Sequence, residues 1–202
     1  MTGIVVVTAG TGVPSSSTLL GERLAAAAAA ALGRDATGLT HLELRTLAVE
    51  LASFVATRRP GPGLRSAFEA LARADGVIAV TPIYNGSYSG LFKLFFDALP
   101  EGTMAGRPVL PGATGGTARH SLAIDHAMLP LFYYLKAPVA PHPVFAATKD
   151  WGSPGKLDRR ITRAADAFAD LVRRSSPSLE LDEFAVPDFT ELLGGKGIQP
   201  NG

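Results

Sequence analysis

The residues able to do chemistry gather in short Gly- and hydroxyl-rich stretches, and the first is a run of hydroxyls. Thr8-Ala9-Gly10-Thr11-Gly12-Val13-Pro14-Ser15-Ser16-Ser17-Thr18 joins an apolar run to a helix-forming segment. Backbone N–H groups at a helix start, with the positive end of its dipole, attract an anion. Hydroxyls on Ser15, Ser16, Ser17 and Thr18 would add donors without adding charge. The stretch lacks the Gly-Lys-Ser/Thr ending of a P-loop. Gly10 and Gly12 are present, but Ser15 stands where a Gly-x-Gly-x-x-Gly fingerprint needs its third glycine. Phosphate binding and plain helix capping both fit these residues.

A second stretch reads Thr81-Pro82-Ile83-Tyr84-Asn85-Gly86-Ser87-Tyr88-Ser89-Gly90-Leu91-Phe92-Lys93. Pro, Asn and Gly set the dihedrals of a turn. A turn alone does not account for two tyrosines and an asparagine beside the end of a strand. A planar ring held there would want a flat wall, backbone donors and few charges.

Charged candidates each carry two readings. Arg119 and His120 follow a third Gly-rich stretch and fit either a nucleotide's polar edge or a surface pair at a helix start. Lys93 fits a helix-surface ion pair or a ligand contact. Arg58-Arg59 is a solvated basic loop or a reach toward a 2′-phosphate. Trp151, after Asp150, caps a pocket or packs. Asp125 and His126 suit surface or subunit contacts.

Other chemistries are closed off by composition. The 202 residues include no cysteine, which excludes disulfides, thiolate metal sites and a cysteine nucleophile. His41, His120, His126 and His142 show no ligand-like spacing, so no metal is expected. A net charge of +1 supplies no field for nucleic acid or anionic lipid. Met1-Thr2-Gly3 opens no signal peptide, and charged neighbours bound the 25–31 apolar stretch too closely for a membrane span. The expectation is a soluble, cytoplasmic protein.

The elements that must position these stretches alternate in type. Ile4–Thr8 is a continuous β-branched run, the pattern of a parallel strand covered on both faces. Segment 19–32 is helix-forming, with Gly33 as stop. Strands are expected at 39–44, 76–81, 107–113 and 143–147. Helices are expected at 47–55, 64–74, 90–99, at 118–136 with Pro130 inside it, and at 156–174; 58–63, 82–89 and 114–117 read as loops. Repeated βαβ units imply an α/β, three-layer sandwich around a five-stranded parallel sheet, flavodoxin-like in order 2-1-3-4-5. The ligand edge then lies at the carboxyl ends of the strands, where all three polar stretches open. One domain over 1–174 and an irregular tail over 175–202 are expected.

At Pro82 through Lys93 the sequence closely resembles the NADPH-dependent FMN reductase family, whose hallmark is Pro-x-Tyr-Asn-x-Ser-x-x-Gly-x-x-Lys. The resemblance continues through Ala113-Thr114-Gly115-Gly116-Thr117-Ala118-Arg119-His120-Ser121-Leu122, Pro130-Leu131-Phe132-Tyr133-Tyr134-Leu135 and Asp150-Trp151-Gly152, and looks like an actinobacterial subgroup. It implies that Gly10, Ser15, Ser16, Ser17 and Thr18 hold the FMN phosphate. It implies that Pro82, Ile83, Tyr84, Asn85 and Ser87 line the ribityl chain and ring, and that Thr114, Gly115, Gly116 and Arg119 face polar edges of the ligands. One departure stands out: Gly12 and Val13 occupy the place where many members carry an arginine.

The activity so implied is hydride transfer from NADPH or NADH to FMN, which needs no acid–base pair because the cofactor carries the chemistry. Backbone N–H groups over 114–117 would stabilise charge near flavin N1 and O2. Reduced FMN could serve a separate flavin-dependent monooxygenase. Rival readings are an FMN-bound reductase of quinones or azo compounds and a flavodoxin-type electron carrier. Phe92, Phe95, Phe96, Phe132, Tyr133 and Tyr134 exceed what one buried face needs, which suggests a homodimer or homotetramer. Phe189, Leu192 and Leu193 in the tail would pack on that assembly.

Overall fold

The computed structural model describes residues 3–33, 38–152 and 155–175. Five parallel strands form its centre: β1 (Ile4–Thr8), β2 (Leu39–Glu43), β3 (Gly76–Tyr84), and, after a short antiparallel β4 (Ser87–Tyr88) on the end of β3, β5 (Val109–Gly115) and β6 (Val144–Ala147). Their order is β2-β1-β3-β5-β6. Counted without β4, this is the expected flavodoxin-like 2-1-3-4-5. The sheet thus has six strands rather than five, because β3 runs on through Tyr84 and folds back as a hairpin.

Strand β1 shows why the apolar runs are continuous. Ile4 and Val6 point to one face with Leu20 and Leu24 of α1 (Ser16–Leu32), whereas Val5 and Val7 point to the other. Alternate side chains leave opposite faces of a strand, and here helices cover both. On the first face α6 (Lys156–Arg174) joins α1, with Ile161, Ala164 and Phe168 buried against Ile78 and Val80. On the second, α2 (Ala48–Thr57), α3 (Pro62–Arg73), α4 (Gly90–Ala98) and α5 (Leu129–Tyr134) contribute Leu51, Leu64, Phe92, Phe95 and Phe132.

Several elements differ from the expectation for local reasons. Helix α3 begins at Pro62, inside the stretch read as loop, because proline suits a first helical position and the Glu50 carboxylate caps the N–H groups of Gly63 and Leu64 at 3.3 and 2.8 Å. The long helix over 118–136 is broken. A 3-10 turn at Ala118–His120 gives way to a π-helical turn at Ile124–Met128, and α5 starts afresh with Pro130 in its first turn. Proline lacks the N–H that an uninterrupted helix would use there. The loop over 114–117 is shortened, since Thr114 and Gly115 still pair with β6. Gly33 ends α1 in the left-handed region as expected, its N–H reaching Ala29 and Ala30 carbonyls.

The surplus of aromatic residues is largely internal. Phe92, Phe96 and Phe132 pack ring on ring at 4.7–6.3 Å and are at most 2% exposed. Their area therefore stabilises the subunit's own core, and it is Tyr133 and Tyr134 that face outward, 63% and 85% exposed.

At the amino edge of the sheet, Arg107 is buried and donates to three carbonyls: Ala74 at 3.0 Å, Thr103 at 2.9 Å and Ala72 at 2.7 Å. Two of these lie at the end of α3, where carbonyls have no helical partner. Burial draws the guanidinium below its usual pKa, and Asp75 opposes that.

Candidate functional site

Three polar stretches meet at the carboxyl edge, and each pair of them is fastened. Helix α1 meets β5 where the hydroxyls of Ser17 and Thr114 approach to 2.8 Å, both buried. The first loop meets the end of β3 where Thr11 and Tyr84 hydroxyls lie 3.4 Å apart. Strands β3 and β5 are register partners through Pro82 and Thr114. Of the predicted candidates, Ser17, Pro82, Tyr84 and Thr114 are joined along one rim by these contacts.

Within the first loop the hydroxyls divide their work. Ser15 caps α1 by accepting from Thr18 N–H at 3.2 Å, and Ser17 is turned inward to Thr114. Ser16 and Thr18, with Ser15, line an open cavity of about 630 Å³ beside the helix start. The capping reading holds for Ser15, and Ser16 and Thr18 line open space. Gly10 sits so close to this turn that a Cβ would meet Ser15 Oγ at 1.9 Å. Any other residue there would displace the Ser15 hydroxyl from its cap.

The second stretch is a hairpin with a defined turn. Tyr84 pairs with Ser87, and Ile83 with Tyr88. Asn85 and Gly86 between them have φ of 49° and 83°. Two successive positive φ values are the mark of a type I′ turn, and Asn-Gly is its preferred sequence. Beneath it, Thr81 is fully buried, its hydroxyl donating to Pro82 carbonyl at 2.9 Å and accepting from Ser89 N–H at 3.0 Å. Ser89 then caps α4 by accepting from Phe92 N–H. Tyr84, half exposed, stands on this prong as a flat wall at the rim.

The third stretch carries Gly115 and Gly116 past the end of β5. Thr117 caps the 3-10 turn by accepting from Arg119 N–H at 3.0 Å, and the Arg119 and His120 side chains are exposed at the same edge. Gly116 has no atom within 4 Å of where a Cβ would sit, so its side of the rim is open.

Of the remaining candidates, Lys93 and Arg58 lie away from the hydroxyl loop and Trp151 beside it. Lys93 makes an ion pair with Asp97 at 2.6 Å, which raises its pKa. Arg58 lines a groove of about 1240 Å³ between α4 and α5, together with His126 and Tyr134, away from the hydroxyl rim. Trp151 packs against the core face covered by α1 and α6 and lines the cavity beside Ser15 and Ser16, with the Arg23 guanidinium 5.8 Å above its ring. Asp150 accepts from Ala147 N–H at 2.9 Å and pairs with Arg160 at 3.1 Å. Burial pushes its pKa up, but these two partners outweigh burial and the carboxyl titrates below its usual range. Phe189, Leu192 and Leu193 lie outside the described residues. Among the described residues no cluster of metal-ligating side chains occurs, and no helix is long and apolar enough to cross a membrane.

Sequence alone does not single out Thr11, Thr81 or the Glu43–Arg45 pair. Nothing in the spacing of Thr11 betrays a partner 73 residues away. The hairpin, by contrast, was signalled by Asn-Gly between residues of strand type.

The parallel sheet, its strand order and helices on both faces define a flavodoxin-like α/β protein. The family model for NADPH-dependent FMN reductase matches residues 2–152. An FMN reductase (NADPH) of Escherichia coli K12 is 43% identical over 162 residues, covering 76% of this chain and 80% of that one. The NADH-dependent FMN reductase SfnF of Pseudomonas fluorescens Pf0-1 is 32% identical, covering 83% and 90%. The crystal structure of an oxidoreductase from Corynebacterium diphtheriae superposes with a TM-score of 0.81 at 38% identity, covering 87% of this chain and 99% of that one. The chain belongs to the NADPH-dependent FMN reductase family.

Proposed function

We propose that this protein is an NAD(P)H-dependent FMN reductase whose flavin lies along the fastened rim. The observation that carries the reading is the three-way fastening of Ser17 to Thr114, Thr11 to Tyr84 and Pro82 to Thr114, in a family of FMN reductases. The residues suit the ligand's chemistry. An uncharged, hydroxyl-rich helix start fits a phosphate, and a tyrosine wall beside the open side of Gly116 fits a flat ring.

Bound flavin supplies a hydride acceptor at N5 for the nicotinamide C4. The chain's own part is binding and alignment. Ser16, Thr18 and the first N–H groups of α1 hold the phosphate, with Gly10 giving the loop its close turn and Ser15 and Ser17 keeping its shape. Pro82, Ile83, Tyr84, Asn85 and Ser87 border the ribityl chain and ring. Thr114, Gly115 and Gly116 face the ring's polar edge, where backbone N–H groups offset developing charge without moving. Arg119 is exposed at that edge and faces the incoming nicotinamide nucleotide. No side chain here has to donate or remove a proton, in keeping with a rim that lacks an acid–base pair.

The same reading treats residues 1–174 as one FMN-binding domain with a separate tail over 175–202. It places the chain in the cytoplasm, where reduced nicotinamide nucleotides are formed, and gives the reduced FMN to a flavin-dependent monooxygenase. It also pairs two subunits across the α4–α5 groove, where Tyr134 is exposed; light scattering on the purified protein tests that pairing.

The activity is tested by mixing purified protein with NADPH or NADH and following loss of the nicotinamide absorbance, with and without FMN. Oxidation that saturates with added FMN is expected. No oxidation with either nucleotide would overturn the proposal.

A further inference from the structure

The groove between α4 and α5 takes no part in holding flavin. Its volume of about 1240 Å³ exceeds the roughly 300–1,000 Å³ usual for small-molecule sites, so it fits a length of chain better than a small ligand. Phe96, Leu99, Met104, Leu131 and Leu135 give it an apolar lining, with Tyr134 exposed at its margin. Arg58, Lys93 and Lys136 outnumber Asp97 and Glu101 along it. The wall formed by residues 99–104 is the connection from α4 to β5, at the amino edge of the sheet.

We propose that residues 179–193 of the chain's own tail occupy this groove, anchored by Phe189, Leu192 and Leu193. The first support is where the tail leaves the body. Helix α6 ends at Arg174 on the amino edge, and a short succession of contacts leads from there to the groove. A Cβ on Gly76 would lie 2.9 Å from Val172, at the end of α6. Next to Gly76 in the chain, Arg107 ties the Ala74 carbonyl to that of Thr103, which lines the groove. Phe189 follows Ser175 by fourteen residues, up to about 46 Å when extended. A body of this size has a radius of gyration on the order of 16 Å, so the reach is ample.

Charge and spacing support the same occupant. The last 27 residues hold Glu180, Asp182, Glu183, Asp188 and Glu191 against Lys196 alone. The net charge of +1 therefore divides into a basic body and an acidic tail, and the groove presents more cations than anions to it. Phe189, Leu192 and Leu193 stand at i, i+3 and i+4, the spacing with which an amphipathic segment lays one side into an apolar groove. Tethering holds the tail at an effective concentration on the order of millimolar, so a modest contact suffices to keep it there. The subunit pairing proposed above then forms on a surface that includes the tail. No part of the inference depends on bound flavin.

The chain has no cysteine, so a cross-link between tail and groove can be introduced on a clean background. Full-length protein carrying Thr190→Cys and Ala127→Cys, the latter in the groove lining, is compared with Thr190→Cys and Thr162→Cys, the latter exposed on α6 across the sheet. Each is treated with oxidised glutathione and followed on non-reducing gels. The intramolecular disulfide should form at least about tenfold faster at Ala127, although Thr162 is nearer to Thr190 along the chain. Adding Leu192→Asp should slow it about tenfold, the scale of losing one buried leucine. Glu101→Cys, exposed on the α4–β5 connection, replaces Ala127→Cys if that variant fails to fold. Equal rates for the two pairs, or no disulfide in either, would overturn the proposal. So would covalent dimers formed through Ala127→Cys, which would place a second copy in the groove instead of the tail.

Discussion

The hydroxyls of Ser17 and Thr114 meet at 2.8 Å across 97 residues of sequence, and this buried contact ties the start of α1 to the end of β5. It spends a serine of the first loop on architecture rather than on ligand. The hydroxyl run is therefore only partly a binding surface, and its shape depends on a partner in another loop.

Ser17→Ala should leave the Thr114 hydroxyl buried without its partner. The expected loss is about 1–3 kcal/mol of stability by urea denaturation, and the FMN Kd should rise as the loop loosens. The double variant with Thr114→Val, which removes both polar groups, should recover part of the lost stability. A double variant that loses the sum of two independent penalties would show that the two hydroxyls do not act as a pair.

Gly86→Val should strain the hairpin, because φ at this position is 83° and a β-branched residue is strongly disfavoured there. A cost of about 1–2 kcal/mol is expected. The useful readout is FMN affinity, since Tyr84 stands on the same hairpin. Weaker FMN binding with unchanged secondary structure is the expected pattern.

Arg107→Met should remove the donor to three carbonyls at the amino edge and destabilise by about 3 kcal/mol or more. The site lies at the opposite edge, so kcat/KM of the folded fraction should stay close to wild type. A selective loss of activity at unchanged melting temperature would contradict this division.

Asp150 gives a pH dependence of known sign. Its folded pKa is depressed, so it contributes stability at neutral pH, and that contribution is lost as pH falls through the folded value. Melting temperature of the wild type should therefore drop below the usual carboxylate range, near about pH 4. Asp150→Asn should start lower at neutral pH and fall less steeply on acidification. Parallel curves for the two proteins would remove Asp150 from the account.

What could be read from the sequence follows from the range of the interactions. The β-branched runs at Ile4–Thr8 and around Val77 identify buried parallel strands because burial on both faces leaves no polar alternation. Helix α6 was bounded correctly at both ends, its amphipathic pattern being local. The broken segment after Thr117 was read as one helix, since apolar residues continue through it and only Pro130 hints at an interruption. How the aromatic area divides between core and surface is not legible for a different reason: composition reports how much exists, not that Phe132 comes from a distant segment to cover Phe92 and Phe96. The turn at Asn85-Gly86 is legible from its residue pair, whereas the return strand at Ser87–Tyr88 is too short to stand out from a loop. The fastenings from Thr11 and Ser17 join residues far apart in the chain, and no spacing rule reaches that distance.

The Arg107 clamp sits at the amino edge of the sheet, opposite the hydroxyl rim, so the two ends are held by separate contacts. Substitutions at rim positions without a structural contact, such as Gly116, therefore draw on little of what keeps the sheet assembled, whereas Gly10, Ser17 and Gly86 are held by the loops' own geometry.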